Sequence, residues 1–203
     1  MYTRLSLLCA LALFPLSLVA QDSTARTEPT PFRRGQWAAQ FSVGSGFSSL
    51  GFLKFRSPTR ALVLDLRLGG SHRESSFEDS TGSQFLGLDS DAFTQVRFGW
   101  RGYRGGATKV VAHYTFGALA GFDHSAGRTP SSSFDGNSWT WGLFGDLGAT
   151  YLVTSRFGLG ALASASLAYT TSTSEQQPTG TKFHSWQIGG SAVSASLVAT
   201  LFF

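Results

Sequence analysis

Residues 192–203 read AVSASLVATLFF and bring the chain to Phe203. In an extended strand, successive side chains point to opposite faces. Val193, Ala195, Leu197, Ala199, Leu201 and Phe203 then form one wholly apolar face. Ala192, Ser194, Ser196, Val198, Thr200 and Phe202 form the other, which is mostly small or hydroxylated. Such a strand suits a wall with lipid on one side and a polar interior on the other.

The same alternation recurs upstream. In a first strand Trp37, Ala39, Phe41 and Val43 share a face, and a turn is expected near 46–49. A second strand carries Leu53 and Phe55 against Phe52, Lys54 and Arg56. A third is the clearest, with Leu62, Leu64, Leu66 and Leu68 alternating with Val63, Asp65, Arg67 and Gly69. Charges set between leucines do not fit a sheet buried on both faces, but they fit a lipid-facing wall with a polar lumen. Four more strands follow: around Ala92–Arg101, Val110–Phe122, Trp139–Val153 and Phe157–Thr170. Near Gly189-Gly190 the alternation slips, which predicts a bulge.

The eight strands are joined alternately by short turns and by long polar segments at about 71–89, 123–137 and 171–183. This predicts an all-β fold: an eight-stranded antiparallel up-and-down transmembrane β-barrel with short periplasmic turns and longer extracellular loops. Trp139, Trp141, Phe122, Tyr169 and Trp186 fall near one end of their strands, and Trp37, Phe55, Trp100, Tyr151, Phe157 and Phe203 near the other. Two aromatic belts are expected where ring side chains meet lipid headgroups. A soluble eight-stranded barrel with the alternation inverted is the competing fold. Its interior, just wide enough for side chains, would have to hold this excess of Trp, Phe and Leu.

The apolar strand ending on an aromatic residue resembles the C-terminal signal of bacterial outer-membrane barrels, and residues 36–203 as a whole resemble the small OmpA/OmpX-type barrels. The resemblance implies that Leu197, Ala199, Leu201 and Phe203 are the part read by the barrel-assembly machinery. It also implies residence in the cell outer membrane, in contact with membrane lipid and lipopolysaccharide. A monomer is expected, with no cofactor.

The N-terminal segment fits this destination. Arg4 precedes the apolar run Leu5–Ala20, followed by Gln21-Asp22, the layout of a cleaved signal peptide over 1–20. A run of about 16 apolar residues is short of the roughly 20 that a spanning helix needs. Cys9, the only cysteine, lies inside it, so an exported chain would carry no disulfide. Residues 21–35, polar and containing Pro29 and Pro31, read as a flexible periplasmic leader. The formal net charge of +4 does not indicate a nucleic-acid partner, because the basic residues do not interleave with aromatics in one segment.

The alternation places Gln40, Lys54, Arg56, Asp65, Arg67, Gln95, Arg97, His113 and Asp146 in the lumen. Lys54, Asp65, Arg67, Arg97, His113 and Asp146 are the expected polar network, an ion-paired plug with His113 beside Asp146, since unpaired buried charge is costly. Arg101 is expected at the basic periplasmic rim with Arg33, Arg34, Arg56, Arg60, Arg104, Lys109 and Arg156. The long segments are acidic, and Glu78, Asp79, Asp89 and Asp91 form a candidate cation site shared with lipopolysaccharide phosphates. Asp123-His124-Ser125 is not a catalytic triad by adjacency, because neighbours in a strand point opposite ways. A structural or surface-interaction role is therefore expected. The alternatives are a small passive pore and, less favoured, a lipid A-modifying or protease-type barrel enzyme.

Overall fold

The computed structural model describes residues 31–78, 84–104, 109–129 and 132–203. The expected signal peptide and most of the expected leader lie outside the described residues. Eight strands follow in chain order: β1 (Trp37–Gly44), β2 (Phe47–Ser57), β3 (Arg60–Glu78), β4 (Gln84–Arg104), β5 (Val110–Arg128), β6 (Ser133–Leu152), β7 (Phe157–Gln177) and β8 (Thr181–Phe202). Each pairs antiparallel with its chain neighbour, and β8 returns to β1 to close the barrel.

The alternation sets which face meets what. Leu64, Val96, Phe98, Phe116, Leu143, Leu147 and Leu167 stand exposed on the outer wall, with Leu147 at 69% and Leu197 at 73% of full exposure. An apolar exterior of this extent is untenable in water and is what a lipid-facing wall requires. Trp139 and Trp141 lie toward the outer ends of this wall, and Trp37, Trp100 and Tyr151 toward the other. Polar and charged residues instead fill the middle of the interior, among them Asp65, Arg67, Arg97 and Asp146.

Three features differ from the sequence expectation. The long polar segments are strand rather than loop for most of their length: β3 runs to Glu78, β5 to Arg128 and β7 to Gln177, each pairing with the next strand almost to its tip. Strands β3 to β8 have 19 to 22 residues, whereas about 9–11 tilted residues cross a bilayer. Roughly half of each therefore stands outside the membrane, wet on both faces. The β1–β2 hairpin is much shorter and turns at Ser45-Gly46, with Gly46 at φ +80°, a left-handed conformation that glycine adopts without steric cost. Ser48 and Ser49, expected in that turn, belong to β2. The predicted slip in β8 falls slightly later than Gly189-Gly190: the register shifts between Ser164 and Ser166 of β7, opposite the stretch from Ser191 to Ser194.

β1 and β8 pair from Trp37↔Phe203 to Gly44↔Ser196, and β2 and β3 stop at Phe47↔Gly69. Beyond that level the wall consists of β3 to β8 alone.

Candidate functional site in the barrel lumen

The lumen has two tiers. In the tier toward the outer end, Arg97 is central. Its Nη2 donates to Asp146 Oδ1 at 2.5 Å, its Nη1 lies 3.6 Å from Asp65 Oδ2, and its guanidinium sits 3.6 Å above the Phe144 ring. Arg67 Nε donates to Asp65 Oδ2 at 3.2 Å and its Nη2 to Ser164 Oγ at 3.2 Å. Arg101 donates to Gln40 Oε1 at 2.5 Å and to Thr115 Oγ1 at 2.8 Å. All three guanidiniums and both carboxylates are buried. Buried charges persist when they are paired and hydrogen-bonded on several sides, as these are. The cavity left among Gln40, Val63, Asp65, Arg97, Phe144 and Asp146 measures about 10 Å³, room for one water at most.

The second tier, toward the periplasmic end, is apolar. Leu53, Phe55, Ala61, Val63, Tyr103, Val111 and Phe202 form a cluster from five strands. Phe32, within the expected leader, reaches into it and is only 4% exposed. The last part of that segment thus packs against the barrel mouth through Phe32.

The expected network is partly rearranged. Lys54 is not in the lumen. Its cross-strand partners are Trp37 and Leu62, which face outward, and paired residues share a face, so Lys54 is held outside with Nζ 4.8 Å from the centre of the Trp37 ring. Arg56 is exposed on the same face, and Leu53 and Phe55 take the interior, so Phe55 does not join the periplasmic aromatic belt expected for it. His113 is buried inside, but it does not pair with Asp146. Its direct partner is Gly148, where an added Cβ would come within 2.6 Å of the imidazole, and its Nε2 lies 3.3 Å from Thr150 Oγ1. Arg101, expected at the rim, is a lumen residue. Its alternation with Arg97 and Gly99 is the available signal.

At the outer end the structure forms an open hollow of about 810 Å³ bordered by residues such as His72, Arg128, Phe134, Asn137 and Gln177. Charges in this region pair with one another: Lys182 Nζ lies 3.7 Å from Glu175 Oε2, and His124 Nδ1 lies 3.9 Å from Asp135 Oδ1 and 3.0 Å from Asn137 Oδ1. His124 thus turns away from Asp123 and Ser125. Of the candidate cation site, Asp79 and the Glu78 side chain lie outside the described residues. Asp91 accepts a hydrogen bond from Ser71 at 3.1 Å, and Asp89 stands opposite Arg73. Among the described residues no three His, Cys, Asp or Glu side chains gather as metal ligands. Asp123, just beyond the outer aromatic belt, has its carboxyl pKa raised by burial and by the nearby Asp91 charge.

The C-terminal residues singled out in the sequence, Leu197, Leu201 and Phe203, are exposed on the outer wall with Ala199 half-exposed between them.

This architecture is that of the small outer-membrane β-barrel proteins. No protein-family model matches the chain, and no curated protein matches it in sequence. Solved structures do match it in fold. A major outer membrane protein from Thermus thermophilus is similar over 83% of this chain and 98% of its own, at 12% identity and a TM-score of 0.53. The outer membrane protein OprG from Pseudomonas aeruginosa is similar over 84% of this chain and 97% of its own, at 9% identity and a TM-score of 0.52.

Proposed function

We propose that the protein is an integral outer-membrane barrel with a sealed lumen, which acts as a structural and surface-contact element through the strands that stand outside the bilayer. The observation that supports this reading most is the two-tier filling of the interior. A conducting path would have to part Arg97 from Asp146 and then cross a cluster of packed aromatic rings. Separating a buried ion pair costs about 3–5 kcal/mol, so the open state would be rare. The outer wall contacts membrane lipid and lipopolysaccharide, and the C-terminal strand is the element offered to the barrel-assembly machinery.

Planar-bilayer recording of the purified, folded protein tests the sealed lumen. The expected record is silent for the native chain and for Arg97→Ala or Phe32→Ala alone, each of which leaves one tier filled, with openings appearing when the two substitutions are combined. Stable openings of the native chain would favour the passive pore instead.

A further inference from the structure

Phe32 precedes β1, yet its ring lies inside the barrel mouth. It stacks on Phe55 of β2 at 4.7 Å, meets Tyr103 of β4 at 4.7 Å and lies 5.2 Å from Phe202 of β8. A tight turn directs it there. Gly35 has φ +86°, a conformation that L side chains rarely adopt. Gly35 N donates to Phe55 O at 2.8 Å, Gln36 N to Arg33 O at 3.2 Å and Arg33 N to Gln36 Oε1 at 3.0 Å. The flanking Pro31, Arg33 and Arg34 stay exposed.

The position of this contact matters because of the seam beside it. The β1–β8 ladder runs from Trp37↔Phe203 to Gly44↔Ser196, no longer than β1–β2 but without a hairpin turn to hold its two strands together, whereas β6–β7 pairs from Ser133 to Leu152. A boundary with few ladder bonds opens first when a structure breathes. Phe32 contacts β8 on one side of β1 and β2 on the other, so it spans this short seam from within.

We propose that residues 31–35 form a latch: Phe32 closes the periplasmic mouth and clamps the β1–β8 seam, and withdrawal of the segment exposes the apolar tier and loosens the seam before the rest of the ring. The latch rests on the proposed barrel reading but not on the charged tier, so the labelling and rescue experiments can fail while the native lumen stays silent in a bilayer.

The test uses the full chain in a Cys9→Ala background with Val111→Cys as a reporter, because Val111 is fully buried in the apolar tier. With Phe32 present, a water-soluble maleimide should label this thiol slowly. Phe32→Ala should raise the rate about tenfold or more, since labelling follows the open population, and Phe32→Leu should restore most of the protection. In parallel, Phe32→Ala should lower the temperature at which the folded gel band is lost. A disulfide across the seam (Ala39→Cys with Leu201→Cys) should restore it, while one across β6–β7 (Leu147→Cys with Ala163→Cys) should not. Both residue pairs are direct cross-strand partners. Equal labelling with and without Phe32, or equal rescue by both disulfides, overturns the latch. If Phe32→Ala does not fold, Gly35→Ala carries the same comparison, because it strains only the turn: an added Cβ there meets nothing within 4 Å.

Discussion

Trp37 and Phe203 exchange both backbone hydrogen bonds, Trp37 N to Phe203 O at 3.1 Å and Phe203 N to Trp37 O at 3.0 Å, and so join the start of the first strand to the last residue of the chain. Phe203 therefore has two separable parts. Its backbone completes the ring, and its exposed ring faces lipid. Deleting Phe203 removes both. With about 1 kcal/mol net per hydrogen bond, deletion should cost about 2 kcal/mol of folded stability. Phe203→Ala should keep that stability and still lower the yield of inserted barrel if the aromatic ring is what the assembly machinery reads. Insertion yield, scored by heat-modifiable gel mobility of the membrane fraction, distinguishes the two. Undiminished assembly of the deletion contradicts the role given to this residue.

The charged tier predicts a non-additive pair. Arg97→Ala leaves Asp146 and Asp65 buried beside a lost cation, a change that typically costs about 3–5 kcal/mol. Asp146→Asn removes the charge that Arg97 neutralises, so the double variant should be more stable than Arg97→Ala alone. Unfolding in urea, followed in detergent micelles, measures the coupling. Simple additivity would mean that the 2.5 Å contact contributes little.

Two glycines of β5 offer a contrast. An added Cβ at Gly117 would press into the carbonyl oxygen of Phe98 and the backbone of Gly99, whereas at Gly121 it would lie 3.4 Å from Thr94 O. Backbone atoms in a paired ladder cannot step aside. Gly117→Ala should cost about 1–3 kcal/mol, as overpacking does, and Gly121→Ala much less. Equal unfolding midpoints for the two variants would contradict the close approach of β4 and β5 at Gly99↔Gly117.

Asp123 predicts a pH effect of a particular sign. Its carboxyl pKa in the folded barrel is raised, by burial first and by Asp91 second. An acid whose folded pKa exceeds its unfolded one destabilises the fold when ionised. That cost is present at neutral pH and is relieved as pH falls through the folded pKa toward the unfolded value. Asp123→Asn should thus stabilise the outer strands at pH 7, with the difference from the native chain shrinking on acidification toward the unfolded carboxylate pKa of about 3.9. Amide exchange along β5 and β6 at neutral and acidic pH reads it. A difference that grows on acidification would reverse the assignment.

Much of this fold is legible in the sequence because period-two alternation survives wherever one face meets lipid. The leucines of β3 and the aromatics of β6 identify the outer wall without ambiguity. β2 misleads because both of its faces carry apolar residues and its charges suggest a lumen. Near the periplasmic interface, however, Lys54 can lie along the Trp37 ring and keep its ammonium at the headgroups. The outer halves of β3 to β8 look like loops because strands wet on both faces need no alternation. Phe32 gives only a lone apolar residue in polar surroundings, and its burial depends on rings contributed by three distant strands. The choice of Thr150 over Asp146 by His113 turns on side-chain packing that strand register alone does not decide.

The direction in which the alternation faces decides whether the barrel meets lipid, and the native tryptophans report on it directly. All five, Trp37, Trp100, Trp139, Trp141 and Trp186, are exposed on the outer wall. In vesicles of brominated phospholipid the intrinsic fluorescence of the inserted protein should be blue-shifted and strongly quenched, with iodide in the aqueous phase having little effect. Strong quenching by iodide with none by brominated lipid would show that these faces do not meet lipid, and would contradict the barrel described here.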